Sequence, residues 1–177
     1  MPMDRALPLA ALGLLLATAA PAQTSRWELM GDVSYRGSFL GTRWIGVNPT
    51  LEGQVTWDEA TGALAGRVCV ETGRFDSGVR KRDEDARRVL EVDRYPRACF
   101  TPRALRSDGE AIAVEGELEL HGVRHPIRCL GRRTPEMVDC RFRTRFSDWN
   151  LRRPRLLGLA VADEVEVQVR ARLRRLD

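Results

Sequence analysis

An all-β fold, an antiparallel barrel or sandwich with one short helix between strands, is what the sequence predicts. Three observations carry this. Apolar residues alternate with polar ones in short runs, most cleanly at Val165, Val167, Val169 and Ala171 against Glu164, Glu166, Gln168, Arg170 and Arg172. About seven or eight such runs are separated by polar turns, with no strand–helix–strand spacing between them. A single charged stretch, Asp76 to Phe100, DSGVRKRDEDARRVLEVDRYPRACF, breaks the strand pattern with a helical turn.

The N-terminus is set apart from this pattern. Arg5 precedes an apolar run from Ala6 to Ala20, and Ala20-Pro21-Ala22 supplies small residues for cleavage, so residues 1–22 read as a secretory signal peptide. The run is shorter than the roughly 20 residues a membrane-spanning helix needs. The remaining residues, 23–177, show no shift in composition and are expected to form a single domain that is periplasmic or secreted. The formal charge of +4 is mild and carried almost wholly by arginine; it favours peripheral contact with an anionic membrane surface or an acidic partner. Export argues against a nucleic-acid partner.

In order along the chain, Trp27, Leu29, Val33, Tyr35 and Phe39 alternate with small or polar residues, and Gly31 and Gly37 allow a bulge or corner. This predicts one long, bent strand running on to Trp44 and Ile45 and closed by a turn at Asn48-Pro49. Glu52 to Trp57, a turn at Asp58 to Gly62, and Leu64 to Val70 form a hairpin with Val68 and Val70 on one face and Arg67, Cys69 and Glu71 on the other. In the charged stretch Asp83 opens the helix, where a carboxylate suits the N-terminal dipole, and Arg87 and Arg88 sit at its C-terminal end. The cluster Arg82 to Asp85 is thereby read as helix capping, with Val89, Leu90 and Val92 facing the barrel.

After the helix, Ala98 and Phe100 resume the inward parity with Cys99 outward. Leu118 and Leu120 oppose Glu117 and Glu119, and a turn at His121 to Arg124 leads into Ile127 and Cys129. The chain reverses at Thr134-Pro135. Cys140, Phe142, Thr144 and Phe146 then share a face against Arg141, Arg143 and Arg145.

DSGVRKRD at 76–83, Arg94-Tyr95-Pro96 with Phe100 after it, GELELHGVRHPI at 116–127, Ser147-Asp148-Trp149, and DEVEVQV at 163–169 resemble the YceI-like family in order and spacing. The resemblance implies a lipocalin-like antiparallel barrel, exported in bacteria. It also implies an apolar interior that binds a polyisoprenoid chain such as a quinone tail, and a role that is not enzymatic. On that footing the inward set, Val33, Tyr35, Val68, Val70, Phe100, Leu118, Leu120, Ile127, Phe142, Phe146, Val165 and Val167, is expected to line a ligand pocket. Alternation by itself fits a filled core equally well.

Four cysteines in an exported chain point to two disulfides. By parity Cys69 and Cys99 point outward on strands joined through the helix, and Cys129 and Cys140 point inward on one hairpin; the expected pairs are Cys69–Cys99 and Cys129–Cys140. His121 and His125 bracket a tight turn without a C-x-x-C, so turn-exposed imidazoles are expected and no metal. There is no G-x-S-x-G, H-E-x-x-H or Gly-rich phosphate loop, and no enzymatic cofactor is implied. The sequence therefore predicts an exported lipid-binding barrel, with a secreted structural or interaction module of filled core as the alternative.

Overall fold

The computed structural model describes residues 24–177; the expected signal peptide, residues 1–22, lies outside the described residues. The chain folds as β1 (Thr24–Phe39), β2 (Thr42–Asp58), β3 (Leu64–Glu71), helix α1 (Arg80–Val89), β4 (Arg97–Asp108), β5 (Ala111–Leu120), β6 (Val123–Arg133) and β7 (Met137–Arg145). A short hairpin of β8 (Arg155–Leu156) and β9 (Leu159–Ala160) precedes the last strand, β10 (Glu164–Arg175). Eight strands close into one barrel in the order β1-β10-β7-β6-β5-β4-β3-β2, every pairing antiparallel. Closure removes the sheet edges that an open sheet would expose.

The first strand differs from its expectation. The segment read as one bent strand is a hairpin: Leu40 (φ 46°) and Gly41 (φ 81°) form a tight two-residue turn, and β1 pairs with β2 from Phe39–Thr42 outward. Such turns need positive φ at both central residues and usually carry Asn or Asp before Gly. A leucine in that place hides the signal. Asn48-Pro49 is not a turn but the interior of β2, where the register shifts between Gly31 and Val33. Pro49 has no N–H to give to a ladder, and the bulge relieves it of the need.

Asn48, fully buried, secures that bulge. Its Nδ2 donates to the Glu71 carbonyl at 2.7 Å, and its Oδ1 accepts from Thr50 N at 3.0 Å and Thr50 Oγ1 at 2.6 Å. Replacing it with alanine removes three hydrogen bonds made from a buried position, so Asn48→Ala is expected to cost about 2 kcal/mol. Urea unfolding with an unchanged slope checks this; a shift within error would refute it.

Strand direction sorts the connections between two ends. The β1–β2 turn, α1, the β5–β6 turn and residues 146–163 lie at one end, and the β2–β3, β4–β5 and β6–β7 turns at the other. The wall is not uniform. β6 and β7 pair only from Leu130–Arg141 to Arg133–Val138, so their ladder stops before the helix end. Gly131 permits the close approach there, since a Cβ on it would lie 2.0 Å from the Asp139 carbonyl oxygen.

Helix α1 begins at Arg80, three residues before the expected start. Asp83 sits in its first turn, buried, with Oδ1 accepting from Ser77 N at 2.9 Å and Ser77 Oγ at 2.6 Å. Its carboxylate thus ties the approach segment to the helix as well as facing the positive end of the dipole. An Arg80–Glu84 pair runs along the exposed face, and a Lys81–Asp85 pair stands where α1 borders the lumen.

Candidate functional site

Parity around a closed barrel sends one face of every strand into a common lumen. The lumen is a single cavity of about 680 Å³. Val33 and Tyr35 enter it from β1, Val68 and Val70 from β3, Phe100 from β4, Leu118 and Leu120 from β5, and Ile127 from β6. Phe142 comes from β7, Phe146 from the turn after it, and Val165 and Val167 from β10. Tyr35, Val167 and Phe142 form one cross-strand row, and Phe100 stands beside Leu118 in another.

Most of these side chains, Val33, Tyr35, Leu118, Leu120, Phe142, Val165 and Val167 among them, are only half-buried although they point inward. In a barrel packed shut they would be fully covered by one another. Their residual exposure is to the lumen.

The wall also contains residues that the sequence reading did not nominate, notably Trp27, Trp44, Leu51, Trp57, Val169 and Leu173. Val169 simply extends the alternation of β10. Trp44 was hidden by the missed hairpin: it stands opposite Gly37, and Tyr35 stands opposite Gly46, so each aromatic ring covers a cross-strand glycine. Burial pushes the Tyr35 phenol above its ordinary range, against the opposing pull of Trp44, so it lies in the lumen as a neutral hydroxyl.

The two ends are built differently. Away from the helix, the Arg133 guanidinium lies 4.6 Å from the Trp57 ring and 5.5 Å from the Trp27 ring. This cation–π stack lets a charged side chain lie at the end of an apolar tube. At the other end α1 lies over the opening, with Val79, Ala86, Val89 and Leu90 lining the lumen and Arg82 held 5.0 Å over Trp44. Val89 and Leu90 therefore face the barrel as expected. Val92 instead packs near Gly73, outside the lumen lining.

Between the diverging ends of β6 and β7 the gap is filled by the turn Phe146–Trp149. Trp149 is 1% exposed and donates its indole N–H to Thr144 Oγ1 at 2.8 Å. The histidines belong to this plug, which corrects the expectation that they are turn-exposed. His121 has its Nδ1 3.1 Å from the Trp149 carbonyl and its Nε2 against Glu91, and His125 packs its ring edge-on to Trp149 at 5.6 Å. With Glu91 brought in from the end of α1, the plug, the helix and the β5–β6 turn are joined.

The plug is anchored on its other side by Asp163, whose carboxylate accepts from Ser147 Oγ at 2.7 Å and Ser147 N at 3.2 Å. The Ser147 hydroxyl is the main cause that holds the Asp163 pKa below the ordinary carboxylate value of 3.8. A depressed folded-state pKa stabilises the fold above the unfolded value, and that contribution is lost as pH falls through the folded one. Ser147→Ala is expected to move the Asp163 midpoint back up toward the ordinary value. An NMR titration that leaves the midpoint in place would refute this anchor.

Both expected disulfides are present. Cys69 and Cys99 are direct partners across β3 and β4, in a row with Glu52 and Glu119, with Cα atoms 4.1 Å apart. Cys129 and Cys140 face the lumen and join β6 to β7 at a Cα separation of 5.5 Å. The second bridge lies where the β6–β7 ladder ends, so it fastens the wall beside the plug.

Comparison with known proteins agrees with this architecture. A family model described as a YceI-like domain matches residues 23–173. A UPF0312 protein of Enterobacter sp. (strain 638) is 30% identical over 126 residues, 66% of this chain and 66% of that protein. Protein YceI of Shigella flexneri is 31% identical over 115 residues, 63% of this chain and 60% of the relative. Among solved structures, Burkholderia cenocepacia BcnA superposes with a TM-score of 0.66 at 19% identity, covering 81% of this chain and 95% of that one. A polyisoprenoid-binding domain from Saccharophagus degradans gives 0.63 at 15% identity, covering 83% and 97%.

Proposed function

The chain belongs to the YceI-like family, and from that premise we propose that it is an exported lipid-binding protein holding one long apolar chain, a polyisoprenoid or quinone tail, inside its barrel. The observation that carries this reading is the continuous lumen of about 680 Å³, walled by inward side chains that remain half-exposed to it. A filled-core interaction module would have no use for that space. A solved relative of the same fold is a polyisoprenoid-binding domain, which supports the ligand class. Two disulfides fit an oxidising compartment and so support export to the periplasm or beyond.

The volume sets the scale of the ligand. At about 30 Å³ for a water-sized group, the lumen takes on the order of twenty methyl- or methylene-sized groups, roughly four isoprene units. Each methylene-sized group removed from water contributes about 0.8 kcal/mol, so tight binding needs no charged anchor. The role is binding rather than catalysis, and loading and release would take place against a membrane.

Mature protein purified from its native host, extracted with organic solvent and examined by mass spectrometry, is expected to yield one equivalent of such a lipid. Repeated absence of any stoichiometric long-chain lipid would sink the reading. Narrowing the lumen checks the volume argument: Val165→Trp is expected to shorten the longest chain retained. An unchanged chain length in a folded variant would count against the lumen as the binding site.

A further inference from the structure

The rim at the helix end carries two hairpin tips of the same unusual design. Leu40-Gly41 joins β1 to β2, and Leu157-Gly158 joins β8 to β9. In both, the leucine sits at positive φ, 46° and 50°, and the glycine follows at 81° and 82°. Asn or Asp is the residue that relieves this conformation, and leucine adds steric cost to it. The two leucines are also among the most exposed apolar side chains described, 76% for Leu40 and 94% for Leu157. Each tip thus accepts backbone strain and solvent exposure together to present one apolar side chain.

The tips share one rim. The Ala162 N–H donates to the Ser38 carbonyl at 3.0 Å, tying the segment that carries β8 and β9 to the end of β1, and Phe39 and Leu156 both line the opening of the lumen. Leu156 and Leu159, each about half exposed, widen the apolar surface around Leu157.

Charge in the two tip segments is arranged unlike the barrel wall, although α1 and Asp163 bring carboxylates to the same end. Residues 38–47 and 150–162 hold Arg43, Arg152, Arg153 and Arg155 and no Asp or Glu. All four are exposed, and none forms an ion pair among the described residues; Arg153 reaches only the Val161 carbonyl, at 3.4 Å. On the barrel wall, by contrast, arginines commonly stand beside cross-strand carboxylates, as Arg36 with Glu166 at 2.7 Å and Arg170 with Asp32 at 3.1 Å. Apolar tips flanked by exposed arginines without direct ion pairs, with the Asp163 carboxylate near Arg153, fit a surface that is negative at the headgroups and apolar beneath them.

We infer that this rim is a docking surface for an anionic phospholipid bilayer, with Leu40 and Leu157 entering the acyl boundary and Arg43, Arg152, Arg153 and Arg155 meeting the phosphates. The inference deepens the carrier reading, since it sets the lumen's opening against the membrane from which a lipid would be taken.

The test is vesicle flotation of the mature protein with phosphatidylethanolamine–phosphatidylglycerol vesicles and with pure phosphatidylcholine vesicles. Leu40→Asn with Leu157→Asn is the informative variant, because asparagine suits positive φ and leaves the turns intact or more stable. Expected results are flotation of the wild type with the anionic vesicles, reduced at high salt, and a loss of roughly tenfold or more in the double variant at an unlowered melting temperature. Arg152→Gln and Arg155→Gln are each expected to weaken binding about fivefold.

The inference is overturned if the wild type stays with the buffer, if the double asparagine variant floats as well as the wild type, or if the tips instead drive self-association seen by size exclusion without flotation. Solvent extraction of the same preparations separates the two readings. Flotation without lumen lipid keeps the docking surface and removes the carrier; lumen lipid without flotation does the reverse.

Discussion

Reduction of both disulfides is expected to unfold the barrel at physiological temperature. The Cys69–Cys99 and Cys129–Cys140 bridges span 30 and 11 residues. Loop-closure entropy then assigns them about 3.5 and about 3 kcal/mol of stabilisation. Together that is comparable with the whole stability of a typical domain, about 5–15 kcal/mol. A melt followed by circular dichroism with and without dithiothreitol measures the sum. Paired serine replacements separate the terms, and only loss of Cys129–Cys140 is expected also to loosen the wall beside the plug and speed lipid release. A reduced protein that melts at the oxidised temperature would refute the argument.

Trp149→Ala is expected to cost about 3–5 kcal/mol, the range for deleting a buried tryptophan. The side chain is 1% exposed, packs against His125, and gives its N–H to Thr144. No strand pairing stands behind it, because the β6–β7 ladder has already ended. Its removal therefore opens the wall instead of leaving a sealed cavity. Lipid dissociation should accelerate along with the fall in stability. Trp149→Phe keeps most of the packing and loses the Thr144 hydrogen bond, for about 1 kcal/mol. Equal lipid retention in the wild type and the folded alanine variant would show that the turn is not a barrier to the ligand.

Much of the lumen was legible because a strand's side-chain period is fixed at two. Once Val165 and Val167 were placed inward, Val169 and Ala171 had to follow, and the same logic carried Phe142 with Cys140 and Leu118 with Leu120. The cysteine pairs were legible for that reason too, since residues on opposite faces of a wall cannot meet. The first hairpin was not. Its turn uses leucine where asparagine is the usual signal, while Asn48-Pro49, which has a turn's composition, is held straight by a bulge and by buried hydrogen bonds from Asn48. Trp44 was lost with it, and with Trp44 the aromatic covering of the helix end.

The histidines were misplaced for a related reason. A turn sequence such as His121-Gly122 tells nothing of what packs on it, and the segment that covers it arrives from Phe146 to Trp149, far along the chain.

By itself the sequence determined the strands after the first hairpin, their inward faces, the helix that interrupts them, the pairing of the cysteines and, through its motifs, the family. All of these follow from local periodicity or from residues read at fixed spacing. Only the tertiary structure decided that the barrel closes around an open lumen, that β6 and β7 part and are stopped by Trp149, and that two leucine tips share a rim with exposed arginines. Those features depend on how the strands coil and on which distant segments meet. Alternation fixes the face a side chain takes, but it does not fix whether anything fills the space that face encloses.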